Sequence, residues 1–157
     1  MTESDLEKAL KLHRSAVYRL AMSYTGSSAD SEDITEEAFI KLYLRHKLPE
    51  DDSQTMAWLI RVTANLCKNH LKSPRNKNRA EMPENIPEQS GISEEERQEL
   101  KSALESLKPD YRAVILLHYY EGFSSREIAG LLGLTVTAVT TRLQRGREAL
   151  KKFLTEN

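Results

Sequence analysis

The sequence predicts an all-α fold of two small helical domains joined by a flexible linker. Three observations lead there. Apolar residues recur at helical rather than alternating spacing along most of the chain. From 74 to 93 the pattern lapses into a stretch holding Pro74, Asn76, Asn78, Pro83, Asn85, Pro87, Ser90 and Gly91 with almost no large apolar residue. Such a run is unlike a loop inside one compact domain and natural as a tether between two. Elsewhere glycine and proline gather at the ends of the periodic segments, where they break helices.

The elements follow in order. Residues 4–25 predict a first helix with Leu6, Ala9, Leu10, His13, Val17, Leu20, Ala21 and Tyr24 on its apolar side. The segment GSSADSED breaks it, and Asp30 or Ser31 can cap a second helix over 31–46. There Ile34, Ala38, Phe39 and Leu42 turn inward and Asp33, Glu36, Glu37, Lys41 and Arg45 outward. HKLPEDDSQ is a loop. A third helix over 54–73 carries Ala57, Trp58, Leu59, Val62, Leu66 and Leu71, so three helices share one small core. Beyond the tether, a helix with Leu100, Ala103, Leu104 and Leu107 stops before Pro109. Another runs from Asp110 to Tyr120 and ends at Gly122. The domains are therefore read as 1–73 and 94–157, with 74–93 between them.

The 157 residues carry a formal net charge of −1, so any affinity for nucleic acid must come from local basic patches. No apolar run is long enough to span a membrane, and the acidic N-terminus has no secretory core, which predicts a cytoplasmic protein without membrane insertion. The single cysteine, Cys67, excludes an intramolecular disulfide framework. Cys67 and His70 lie three apart on a helix, but no second ligand pair stands near them, so no metal and no cofactor is expected. The chain lacks a glycine-rich phosphate loop and a cluster of catalytic side chains, which argues against an enzyme.

The most informative stretch is Phe123 to Leu154. Ser124 and Glu127 form a capping box for a short helix whose apolar face is Ile128, Leu131 and Leu132. Gly133 is placed to end that helix in the left-handed conformation. Thr135 caps the next, on which Val139, Leu143 and Leu150 point inward. Thr137, Thr140, Thr141, Gln144 and Arg145 share the opposite face: short hydroxyls first, then hydrogen-bonding and cationic groups. That layout suits the recognition helix of a helix-turn-helix, whose first turns reach base edges while later cations meet phosphates.

These parts together resemble a sigma factor of the sigma-70 family, extracytoplasmic-function (ECF) subfamily. VYRLAMSYTGSSADSEDITEEAFIKLY is similar to the family's first conserved region, and AWLIRVTANLCKNHLK to its WLxRxxxN segment. LKPDYRAVILLHYYEGFSSREIAGLLGLTVTAVTTRLQRGREALKK is similar to its fourth region. The resemblance covers both domains and implies a subunit that binds core RNA polymerase, directs it to promoter DNA and helps to open the duplex.

Residue by residue, the resemblance implies three surfaces. Asp33, Glu36, Phe39, Lys41, Leu42 and Arg45 would dock on the clamp of the polymerase's largest subunit, although Phe39 reads more readily as core. Leu48, Pro49, Glu50, Asp51, Asn65, Lys68, Asn69 and Lys72 would hold the −10 element, His70 and KSPRNKNR adding basic surface. Trp58 reads as base-stacking or core, and Arg61 as a DNA contact or the partner of an acid on the second helix. Thr137, Ala138, Thr140, Thr141, Arg142, Gln144, Arg145 and Arg147 would lie in the major groove of the −35 element. Many relatives have a cation at the position of Thr140 and an aromatic or histidine at Gln144, so fewer guanines should be read here. Two further expectations follow. An anti-sigma factor is the implied inhibitor, and the free protein should exchange compact and extended arrangements through 74–93. The competing reading, a stand-alone helix-turn-helix regulator, explains the C-terminal half and leaves the N-terminal motifs without a role.

Overall fold

The computed structural model describes residues 1–45, 47, 49–73 and 93–151, without the side chains of Arg97 and Leu100. The tether read over 74–93 therefore lies outside the described residues except for Ser93, as does Leu48.

Among the described residues seven α-helices follow one another: α1 (Glu3–Thr25), α2 (Ser28–Tyr43), α3 (Asp52–Lys72), α4 (Glu94–Glu105), α5 (Pro109–Ile115), α6 (Ser125–Leu132) and α7 (Val136–Ala149). Local chemistry accounts for most of the boundaries. Thr2 and Asp5 form a capping box at the start of α1, which ends where Gly26 adopts φ 67°. The cap of α2 is Ser27, three residues or more before the expected Asp30 or Ser31. The reason lies in a small hydroxyl network. Thr25 Oγ1 receives the Ser27 N–H at 3.2 Å and lies 2.8 Å from Ser31 Oγ, so the chain turns at once into the next helix. α2 also stops at Tyr43, short of the expected 46.

The helix after Pro109 departs from expectation too. It is α-helical only to Ile115 and then widens into a π turn, Leu116–Tyr120. Glu121 N–H donates to Leu116 O, and Gly122 (φ 83°) reverses the chain toward α6. Turns of this kind re-aim the side chains that follow them. In the last two helices, the Ser124–Glu127 capping box, Gly133 at φ 67° and the Thr135 cap all form as the sequence predicts.

The core is the main surprise. One apolar cluster holds Ala9, Val17, Ala38, Phe39, Leu42 and Leu59 and lies within the first three helices. The larger cluster crosses between the two helical groups. It joins Leu20, Ala21 and Tyr24 of α1 and Ile60, Ala64 and Cys67 of α3 to Val114, Leu117, Ile128, Leu131, Val139 and Leu143. α3 is thus apolar on two sides. Leu59 faces α1 and α2, while Met56, Ile60, Ala64, Cys67 and Leu71 form a second stripe at spacings of about one helical turn.

Candidate nucleic-acid interface

Gly146 brings α7 close against α5; a Cβ there would meet the Ile115 side chain at 2.8 Å. With Val139, Leu143 and Leu150 buried on the same side, the opposite face of α7 is left to solvent. Thr137, Thr140, Thr141, Gln144, Arg145 and Arg147 are exposed there, and Ala138 and Arg142 are half-buried at its edge. Thr140 Oγ1 donates to Thr137 O at 3.0 Å, so its hydroxyl hydrogen is used and the oxygen can still accept. Two of the arginines are braced from α5 and the turn that follows it: Arg145 Nη1 donates to Tyr111 Oη at 3.1 Å, and Arg147 Nη1 approaches Tyr119 Oη at 3.5 Å. Burial raises the pKa of the enclosed Tyr24 hydroxyl, nearby Asp110 adds to that rise, and the Arg142 charge opposes it.

On α3, Asn65, Asn69 and Lys72 are exposed and Lys68 is half-buried. The loop before it supplies Pro49, half-buried, with Glu50 and Asp51 exposed. Asp51 also caps the helix, because its Oδ1 accepts the Gln54 N–H at 2.8 Å. Glu50 N–H in turn donates to Gln54 Oε1 at 3.2 Å. His70 is turned inward, its Nε2 3.1 Å from Asp30 Oδ2 of α2, and so does not extend the basic surface. Cys67 is fully enclosed, and burial pushes its thiol well above the ordinary range. Trp58 is half-buried against the first cluster, with the Arg45 guanidinium 4.8 Å from its ring centroid. Arg61 is exposed and makes no ion pair among the described residues.

The α2 surface corrects two expectations. Asp33, Glu36 and Lys41 are exposed, but Leu42 is wholly buried and Phe39 is 4% exposed. Leu42 offers a partner no surface, because it falls on the side of α2 that closes the first core. Phe39 only lines the wall of a groove of about 300 Å³ between α1 and α2, with Leu6, Leu10, Glu36, Ile40 and Tyr43. The exposed large apolar side chains here are Ile40 and Tyr43 of α2 and Leu44 just past its end, and sequence reasoning missed Ile40 and Leu44. Helical spacing from Glu36 to Ile40 to Tyr43 and Leu44 was the available signal.

Also missed were the polar ties between the helical groups. Arg112 Nε donates to Ser23 O, near the C-terminal end of α1, and its Nη1 to Leu107 O, both at 2.8 Å. Arg19 donates to Glu121 Oε1 through Nη2 at 2.8 Å and Nε at 3.1 Å, and its guanidinium lies 4.5 Å from the Tyr120 ring centroid.

The family model described as sigma-70 region 2 matches residues 10–77, and that described as sigma-70 region 4 matches 97–150. The chain is 30% identical to the ECF RNA polymerase sigma factor SigW of Bacillus subtilis over 91% of its own length and 85% of that protein. The chain belongs to the ECF sigma factors. It is also 31% identical to the ECF sigma factor SigE of Mycolicibacterium smegmatis, over 96% of this chain and 62% of SigE, so it spans less than two thirds of that relative. Among solved structures, the sigma factor RpoE of Bartonella quintana, crystallised with the anti-sigma factor NepR, is similar at a TM-score of 0.77. That match is 25% identical and covers 96% of this chain and 97% of RpoE. In this ECF sigma factor the region 2 match takes in α2 and α3 with most of α1, and the region 4 match runs from within α4 through α7. No described helix is long and apolar enough to cross a membrane.

Proposed function

We propose that this ECF sigma factor binds core RNA polymerase, directs it to promoters through −10 and −35 contacts and promotes opening of the duplex. The observation that carries this reading is the ordered pair of region 2 and region 4 matches on one chain. In this scheme residues 1–73 dock on polymerase and hold the −10 element, 74–93 are the linker, and 94–157 hold the −35 element.

The roles follow from chemistry at each surface. On α2 and just past its end, Asp33, Glu36, Lys41 and Arg45 give a polar rim around exposed Ile40, Tyr43 and Leu44, suited to the clamp of the polymerase's largest subunit. On α3, Lys68 and Lys72 follow the phosphate backbone while Asn65 and Asn69 offer donors and acceptors to bases near Pro49 and Glu50. On α7, Thr137, Thr141 and Gln144 face the major groove, with Ala138 and Thr140 beside them and Arg142, Arg145 and Arg147 for the flanking phosphates or guanines. Gln144 suits adenine, and with threonine at 140 few guanines are read. The chain is not an enzyme and works in the cytoplasm. Its compact arrangement, similar to that of RpoE in complex with NepR, is one that an anti-sigma factor would hold.

The test adds the purified chain to bacterial core RNA polymerase with sheared genomic DNA of its source and maps transcript 5′ ends. Sharp starts that share two upstream motifs, and that vanish without the chain, are expected. Retardation of specific duplexes with no redirection of polymerase would overturn the reading.

A further inference from the structure

Tyr111 belongs to α5, yet its phenol stands beside the recognition helix. The ring is partly buried against the shared core, which fixes its position, while the hydroxyl is exposed. Arg145 Nη1 donates to that hydroxyl at 3.1 Å. A phenol oxygen that accepts from a guanidinium still has its own hydrogen to donate. The surroundings are cationic: the Arg145 bond lowers the phenol's pKa, and the charges of Lys108 and Arg142 act in the same direction. Among the described residues no carboxylate lies within ion-pair distance of Lys108, Arg142 or Arg145. Arg145 and the Tyr111 hydroxyl thus meet at one exposed spot, and the charges of exposed Lys108 and half-buried Arg142 reach the same phenol.

We propose that Tyr111 and Lys108 extend the DNA interface of α7 by gripping one backbone phosphate at its flank. Tyr111 Oη donates to a phosphate oxygen and holds Arg145 toward the DNA, and Lys108 adds charge. The inference rests on the assignment of α7 to the −35 element. It also adds a neighbouring helix to a site that sequence reasoning confined to the helix-turn-helix.

The test measures binding of the full chain to duplexes carrying the −35 motif recovered by transcript mapping, and to single-base variants of it, over a range of salt. Tyr111→Phe keeps the ring and should weaken binding about fivefold, by a similar factor for every duplex, because a phosphate contact carries no sequence information. Lys108→Gln, on an exposed side chain, should lower the slope of log affinity against log salt by about one unit. Arg145→Ala is the control. If it weakens binding while Tyr111→Phe and Lys108→Gln bind as the parent does, the phosphate grip is wrong and the −35 assignment stands. If Arg145→Ala also binds as the parent does, the assignment of α7 falls. A change in base preference by Tyr111→Phe, in place of a uniform loss, would overturn the phosphate role. Should Tyr111→Phe lose its fold, the Lys108→Gln salt slope decides.

Discussion

Arg19 and Glu121 lie 102 positions apart and tie α1 to the turn that follows α5. A double-mutant cycle of Arg19→Ala and Glu121→Ala would measure that tie. Both guanidinium donors reach the same carboxylate oxygen, at 2.8 and 3.1 Å, and the side chains are 30% and 13% exposed. A fully exposed pair would contribute about 0.2–1 kcal/mol, whereas breaking a buried one costs about 3–5 kcal/mol. Half-shielded and doubly bonded, this pair should couple by about 1–2 kcal/mol. Arg19 also lies over the Tyr120 ring, a contact worth about 0.5–1 kcal/mol that Glu121→Ala leaves in place. Arg19→Ala should therefore cost more than Glu121→Ala. Urea unfolding of the parent, the two single variants and the double variant supplies the four free energies. Additivity within about 0.3 kcal/mol would refute the reasoning, since groups in direct contact should couple by more than that.

Three further outcomes follow from the geometry. Arg112→Met keeps much of the side-chain volume but loses charge-assisted bonds to Ser23 O and Leu107 O; thermal unfolding should show a loss of about 2 kcal/mol, or roughly 4–8 °C. An unchanged melting temperature would mean that burying the guanidinium costs as much as its bonds return. Gly133→Ala meets nothing within 4 Å, so only backbone strain at φ 67° should count, about 1 kcal/mol by urea unfolding. His13 is 8% exposed, and burial depresses its pKa below the usual 6.5, with Asp52 opposing the shift weakly. The fold then holds the neutral ring while the unfolded chain takes up a proton. Stability from this group is complete above about pH 6.5 and falls as pH drops toward the lower folded value, by at most about 1.4 kcal/mol per unit. Urea unfolding at several pH values should show a shallower acid loss for His13→Gln than for the parent.

Much of this protein is written in short-range patterns. The helix-turn-helix was legible to the residue because each of its parts is local. Ser124 with Glu127, Gly133 and Thr135 act on backbone groups within a few positions of themselves, and a 3.6-residue period places Val139, Leu143 and Leu150 on one side whatever they pack against. The same logic gave the family, since its motifs are contiguous stretches. It also set the exposed face of α7, which is simply what remains once the apolar stripe is buried.

Where a choice depended on a partner far along the chain, local pattern had no purchase. Leu42 and Ile40 are equally apolar, yet packing against α1 and α3 encloses one and leaves the other 58% exposed. Ser27 outcompeted Ser31 and Asp30 as the α2 cap because Ser31 was drawn into the hydroxyl network with Thr25. The stripe Met56, Ile60, Ala64, Cys67 and Leu71 has helical spacing of its own, but a three-helix core alone gives α3 no reason for a second apolar side. Its burial beneath α6, like the reach of Arg112 to Ser23 and of Arg19 to Glu121, arises when the two helical groups meet. Contacts between distant residues depend on how whole faces fit together, and helical periodicity reports only that a face exists.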